Sequence, residues 1–120
     1  GKNVFIEKPL AINNNELQTL KKVYFEASKE NQMPQLMVGF NRRFAPHIKK
    51  MKTLIESINE PKSIIMTMNV GHIPSNHWTQ DTIIGGGRII GEACHYIDLM
   101  RFLIGKKITS FQAKKMGNNK

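Results

Sequence analysis

Apolar and polar positions recur with two different periods along this chain, and the periods divide it into elements. Val4-Phe5-Ile6 is a short apolar run closed by Glu7-Lys8-Pro9. It reads as a buried strand stopped by proline, which has no N–H to give to a ladder. Leu17, Leu20, Tyr24 and Ala27 recur at three- and four-residue spacing, which predicts a helix. Asn13 with Glu16 three residues on has the layout of a capping box. That helix is expected to end near Lys29, before Asn31 and Pro34. Leu36 to Phe40 reads as a second buried strand, broken by the polar run Asn41-Arg42-Arg43. Pro46 suits the first turn of a helix whose apolar face is Ile48, Met51, Leu54, Ile55 and Ile58.

Beyond a turn at Asn59 to Lys62, the Ile- and Met-rich stretch Ser63 to Val70 reads as a strand. Residues 71–87 read as a long glycine-containing loop, or a loop with an irregular strand, a length that is usually functional or mobile. Gly91 precedes a third helix, largely buried through Ala93, Ile97, Met100, Phe102, Leu103 and Ile104. Gly105 is its natural C-terminal cap, with Lys106 and Lys107 complementing the dipole. Ile108 to Ala113 alternates like a half-buried strand, and Lys114 to Lys120 reads as a frayed end. Strands and helices alternate over the first sixty residues, which implies βαβ-type packing and an α/β class.

Composition narrows the function classes. A chain of 120 residues supports one modest core. With 40% apolar and 22% charged residues and a mean hydropathy of −0.36, it reads as globular. No apolar run approaches the ~20 residues of a membrane span, and no secretory leader pattern opens the chain. The single cysteine, Cys94, allows no internal disulfide and points to a reducing, cytoplasmic setting. Net charge is +9, which raises a small basic module for nucleic acid or anions as an alternative function. The charge is spread, however: 10 basic and 6 acidic residues in 1–60, 8 and 3 in 61–120. The basic tail Arg101, Lys106, Lys107, Lys114, Lys115 and Lys120 lacks interleaved aromatics, so it reads as a solvated surface and no nucleic-acid partner is expected. Gly1-Lys2-Asn3 runs straight into the first strand, as if the chain were cut from a longer one.

Three clusters carry chemistry. Glu7-Lys8-Pro9 sits at the carboxyl end of a strand, where open α/β sheets bind ligands. An ammonium there can polarise a hydroxyl or a carbonyl; the plainer reading is a turn with two solvated charges. Gly85-Gly86-Gly87 precedes Glu92, His95 and Asp98, which share one helix edge and offer the imidazole carboxylate partners. The plainer reading is a half-buried histidine satisfied by a neighbouring acid. Arg42 and Arg43 follow a strand and suit a phosphate, carboxylate or hydroxyl ligand, or form an ordinary basic loop. His72, His77, Cys94, His95 and Asp98 show no Cys-x-x-Cys or His-Glu-x-x-His spacing, so no metal is expected. Cys94 on an apolar helix reads as a core thiol rather than a nucleophile.

Together these segments resemble the glucose–fructose oxidoreductase / inositol dehydrogenase (Gfo/Idh/MocA) family. The stretch from Gly1 to Ala11 is similar to its Glu-Lys-Pro strand, and Val38 to Pro46 to its crossing between domains. Gly85 to Leu103 is similar to its glycine-rich turn and histidine helix. The resemblance implies a central fragment. Residues 1–45 would close a Rossmann-type dinucleotide-binding domain, and 46–120 would begin an α+β second domain with an open, mostly antiparallel sheet. It implies NAD- or NADP-dependent hydride transfer at a hydroxyl of a sugar-like small molecule, a sugar, inositol or nucleotide sugar, in a homo-oligomer. Lys8, His95 and Glu92 would be catalytic. Glu7, Lys8, Pro9, Arg43 and Trp78 would face the cofactor, with a cis peptide before Pro9, and Arg42 and Asp98 would face the substrate. Many members place an aspartate four residues before the histidine; here that position is Gly91, and Glu92 follows it. No Gly-x-Gly-x-x-Gly occurs, so the chain by itself is expected to be inactive.

Overall fold

A computed structural model describes residues 2–29 and 34–116. Its first unit is strand–helix–strand. β1 (Val4–Ile6) and β2 (Leu36–Val38) pair in parallel, Val4 opposite Leu36 and Ile6 opposite Val38. Between them runs α1 (Asn14–Ala27). Asn13 caps it as its spacing predicts: its Oδ1 accepts from the Glu16 N–H at 2.9 Å. The Glu16 carboxylate reaches back to the Ile12 N–H at 3.0 Å, one residue before the cap. α1 stops at Ala27 with Ser28 as its C-cap, near the expected end; Asn31 lies outside the described residues. The Lys8–Pro9 bond is cis, as the resemblance implied.

A 3₁₀ turn (Asn41–Phe44) leads from β2 into α2 (Pro46–Glu56), with Pro46 in its first turn. A second 3₁₀ turn covers Trp78–Gln80. The last helical segment begins before Gly91, earlier than predicted. A π turn (Ile89–Ala93) runs into α3 (Cys94–Ile104). α3 buries His95, Asp98, Leu99 and Leu103, one face at three- and four-residue steps. Gly105 ends it in the left-handed conformation, φ +71°, and its N–H donates to the Arg101 carbonyl at 2.9 Å. α2 packs on α3, and Lys52 Nζ donates to the Leu103 carbonyl at 3.3 Å.

Two expected strands are corrected. Residues 63–70 and 108–113 form no strand, and the β1–β2 pair is the one sheet among the described residues. The antiparallel second-domain sheet is therefore not formed there. Periodicity makes a segment extended, but a strand also requires a neighbour for its N–H and C=O groups. Met66, Met68 and Val70 instead run beside Tyr96, Ile97 and Met100 of α3. Ile65 and Phe111 are exposed.

Apolar cover is thin. The chain exposes 10529 Å², where a compact protein of its mass exposes about 6,600 Å². Leu99 and Leu103 are the buried apolar side chains of the described residues, whereas Val4, Phe5 and Ile6 are all exposed. The expectation of a buried first strand is thus not met by the layers present. The best-packed part is the α3 face that carries His95 and Asp98.

Candidate functional site

The end of β1 and the π turn meet at one cavity. It encloses about 280 Å³, and its walls include Lys8, Pro9, Trp78, Gly85, Arg88 and Glu92. Lys8 leaves the carboxyl end of β1, and the cis bond to Pro9 turns the chain away there. Its Nζ donates to the Gly91 carbonyl at 2.7 Å and lies 3.5 Å from Glu92 Oε2. The lysine side chain is 20% exposed. A carbonyl and a carboxylate together fix the position of this ammonium at the cavity wall.

Glycines allow this approach. A Cβ at Gly91 would stand 2.7 Å from the Gly85 carbonyl oxygen, and one at Gly85 would stand 2.8 Å from the Trp78 carbonyl oxygen. The turn is therefore packed backbone on backbone, with Gly85 and Gly86 buried. Trp78 itself is largely exposed and stacks on His77, ring centroids 6.0 Å apart. An exposed aromatic ring at a cavity that also holds an ammonium and a carboxylate suits the C–H face of a polyol or a flat heteroaromatic ring.

His95 lies on the buried face of α3, with the edge of Phe40 6.1 Å away between ring centroids. Its Nδ1 is buried and has no hydrogen-bond partner. Burial, then the positive charges of Lys8 and Arg42, push its pKa below the usual 6.5; Glu92 and Asp98 oppose the shift less strongly. The ring is therefore neutral at pH 7, with one nitrogen free to accept a proton. Cys94, beside it, is half-buried, and burial pushes its thiol up, so it stays protonated.

The pH dependence of stability follows from this shift. Between the lowered folded value and 6.5, the unfolded chain binds a proton that the folded chain does not. Stability therefore rises with pH through that window and is level above it with respect to this group. Thermal unfolding followed from about pH 5 to about pH 8 is expected to show a rise below neutrality that His95→Gln flattens. An identical slope in both proteins would remove the assignment.

The two arginines are engaged by α3. Arg43 Nε donates to Asp98 Oδ2 at 2.6 Å, and Nη2 donates to Asp98 Oδ1, a bidentate pair beneath the Phe102 ring. Arg42 lies over the Tyr96 ring at 4.7 Å and donates to its hydroxyl at 3.1 Å. Glu7 is exposed, with its carboxylate against Gly39, where a Cβ would be 3.1 Å from Oε2. So Lys8, Pro9, Trp78 and Glu92 are brought to one cavity. Arg43 and Asp98 are brought to each other, and Arg42 to Tyr96. His95 shares α3 with Asp98 but is not part of the cavity wall. Sequence reading missed the Gly91 carbonyl and Arg88 as parts of the site. The signal in the sequence for Arg88 is its place directly after three glycines.

Comparison with known proteins returned neither a matching family model nor a matching solved structure. Curated relatives do match. An uncharacterized oxidoreductase, YrbE, of Bacillus subtilis is 30% identical over 115 residues, 94% of this chain and 31% of the relative. Inositol 2-dehydrogenase of Rhizobium meliloti is 30% identical over 115 residues, 94% of this chain and 32% of the relative. Oxidoreductase P35 of Formosa agariphila is 35% identical over 115 residues, 88% of this chain and 34% of the relative. The chain spans about a third of the length of the curated relatives it matches.

Proposed function

We propose a function for a chain whose relatives and motifs are consistent with part of a Gfo/Idh/MocA-type oxidoreductase. The relatives support a dehydrogenase-type activity. The finer reading is that the whole protein transfers hydride between NAD or NADP and a hydroxyl-bearing carbon of a sugar, inositol or nucleotide sugar. The observation that carries it is Lys8 Nζ, held by the Gly91 carbonyl and Glu92 at the wall of a cavity with an open tryptophan.

The donor set fits one end of a nicotinamide cofactor. Pro9, Ile12 and Trp78 offer flat or apolar wall, and Lys8 offers a cation at the reacting oxygen. The sequence holds no Gly-x-Gly-x-x-Gly for a pyrophosphate, so that grip is not supplied by these residues. When bound, the nicotinamide supplies the acceptor for hydride.

The chain's residues handle the proton. Lys8 Nζ donates a hydrogen bond to the substrate hydroxyl oxygen and stabilises its negative charge as the proton leaves. His95, neutral at pH 7 but set behind the cavity wall rather than on it, receives that proton by way of an intervening water and not by direct contact with the hydroxyl. The carbon loses hydride, the oxygen loses a proton and a carbonyl results. Glu92 balances the Lys8 charge, and His95 releases its proton to water before the next turnover. Asp98 and Arg43 act through position: their pair fixes the α3 face that bears His95.

The test is reduction of NAD or NADP by the purified whole protein with myo-inositol, glucose or a nucleotide sugar. The expected result is steady formation of reduced nicotinamide with at least one, and none with the 120-residue chain alone. No reduction with any polyol, together with tight salt-sensitive binding to duplex DNA, would replace this reading with that of a basic module.

A further inference from the structure

We propose that the π turn is the device that holds the Lys8 ammonium, with the Gly91 carbonyl as its anchor and glycine required at position 91 for that purpose. Its importance for turnover rests on the functional reading above; the contact itself rests on geometry.

A π turn holds more residues than an α turn, so it changes the phase of the groups on either side of it. This one spans Ile89–Ala93 and contains both groups that meet Lys8. The Gly91 carbonyl oxygen lies 2.7 Å from Nζ, a full-strength hydrogen bond. Glu92 Oε2 lies at 3.5 Å, a distance that serves charge more than direction. The ammonium is therefore positioned by backbone and neutralised by a side chain. A backbone acceptor has no rotamers to freeze, so it fixes Nζ more tightly than a carboxylate on a flexible stem.

The anchor continues into the cavity wall. The Trp78 carbonyl lies against Gly85, and the Gly85 carbonyl lies against Gly91. Each contact is too close for a Cβ, and each opposing atom is backbone, which cannot swing aside. A run of backbone contacts thus connects the tryptophan to the atom that holds Lys8. Any side chain at 91 spreads this run and draws the carbonyl away from Nζ. Gly91 is a positioning residue in this sense, acting on substrate only through Lys8.

Competitive acetylation of lysines with mass-spectrometric readout tests the contact without requiring activity. Lys8 is expected to label several-fold more slowly than Lys21, which is exposed. Lys52, held by the Leu103 carbonyl and by Glu56 at 2.8 Å, reports the integrity of the α2–α3 packing. Gly91→Ala should speed Lys8 labelling about fivefold or more, the factor of one hydrogen bond, while Lys52 is unchanged. Glu92→Gln should speed it less. An unchanged Lys8 in Gly91→Ala overturns the proposal. So does a common acceleration of Lys8 and Lys52, which would make the turn a structural joint only. A larger effect from Glu92→Gln would give the anchor to the carboxylate and likewise overturn it. In the whole protein, Gly91→Ala should lower kcat more than it raises KM. Were the whole protein unable to reduce a nicotinamide, the functional reading would fall and the labelling result would stand unaffected.

Discussion

If the proposed hydride transfer holds, replacing Lys8 with methionine in the whole protein is expected to lower kcat/KM by roughly a hundred- to ten-thousand-fold, the usual worth of a positioned proton-handling or charge-stabilising group. Methionine keeps the apolar stem and removes only the ammonium, so the loss isolates the charge. The fold is little affected, because the partners left behind remain reachable by water: the Glu92 side chain is 35% exposed. The expected stability change is about 1 kcal/mol or less. Lys8→Arg does not restore the rate, since a planar fork does not replace a compact ammonium between the Gly91 carbonyl and Glu92. Initial-rate kinetics beside thermal unfolding decide the matter. A Lys8→Met enzyme within about threefold of the parent would put the chemistry elsewhere.

The largest stability effect is expected at the Arg43–Asp98 pair, and it is asymmetric. The Asp98 side chain is 7% exposed and that of Arg43 is 36%. Arg43→Met strands a buried carboxylate and costs about 3 kcal/mol. Asp98→Asn leaves a guanidinium that water already reaches, and the amide oxygen still accepts one hydrogen bond, so it costs about 1–2 kcal/mol. The pair also shows in Arg43 itself, whose pKa is raised chiefly by its hydrogen bond to Asp98. Arg43→Met with Asp98→Leu should recover much of the loss, because neither charge is then left alone. Denaturant midpoints of the three variants check this. Equal costs for the single changes, or a double variant as weak as their sum, would contradict it.

Local features were legible because their causes are local. Asn13 and Glu16 are three residues apart and cap α1 through the backbone between them. Pro46 opens α2, and Gly105 closes α3 in a conformation that other residues adopt at a cost. The Lys8 motif was legible at the end of β1 for the same reason. The partners of that lysine were not. Gly91 lies 83 positions away, and its carbonyl meets Nζ only because the π turn forms. An i-to-i+3 count along an ideal helix does not contain that turn. Nor does alternation at Ser63 to Val70 contain a partner strand. Arg42 and Arg43 read as ligand-binding cations because Tyr96 and Asp98 are about 55 residues distant in the chain and adjacent in space.

Residue order alone was enough for the helices, their caps, the parallel strand–helix–strand start and the cluster types that carry chemistry. Each depends on periodicity, on backbone preference or on a side chain that reaches its own neighbours. Tertiary structure decided which charges remain available. It tied Arg43 to Asp98, left His95 neutral with a free nitrogen, and set the Lys8 ammonium on a backbone carbonyl beside Trp78. Those outcomes depend on close approach and loss of water, and neither is a property of a residue in isolation.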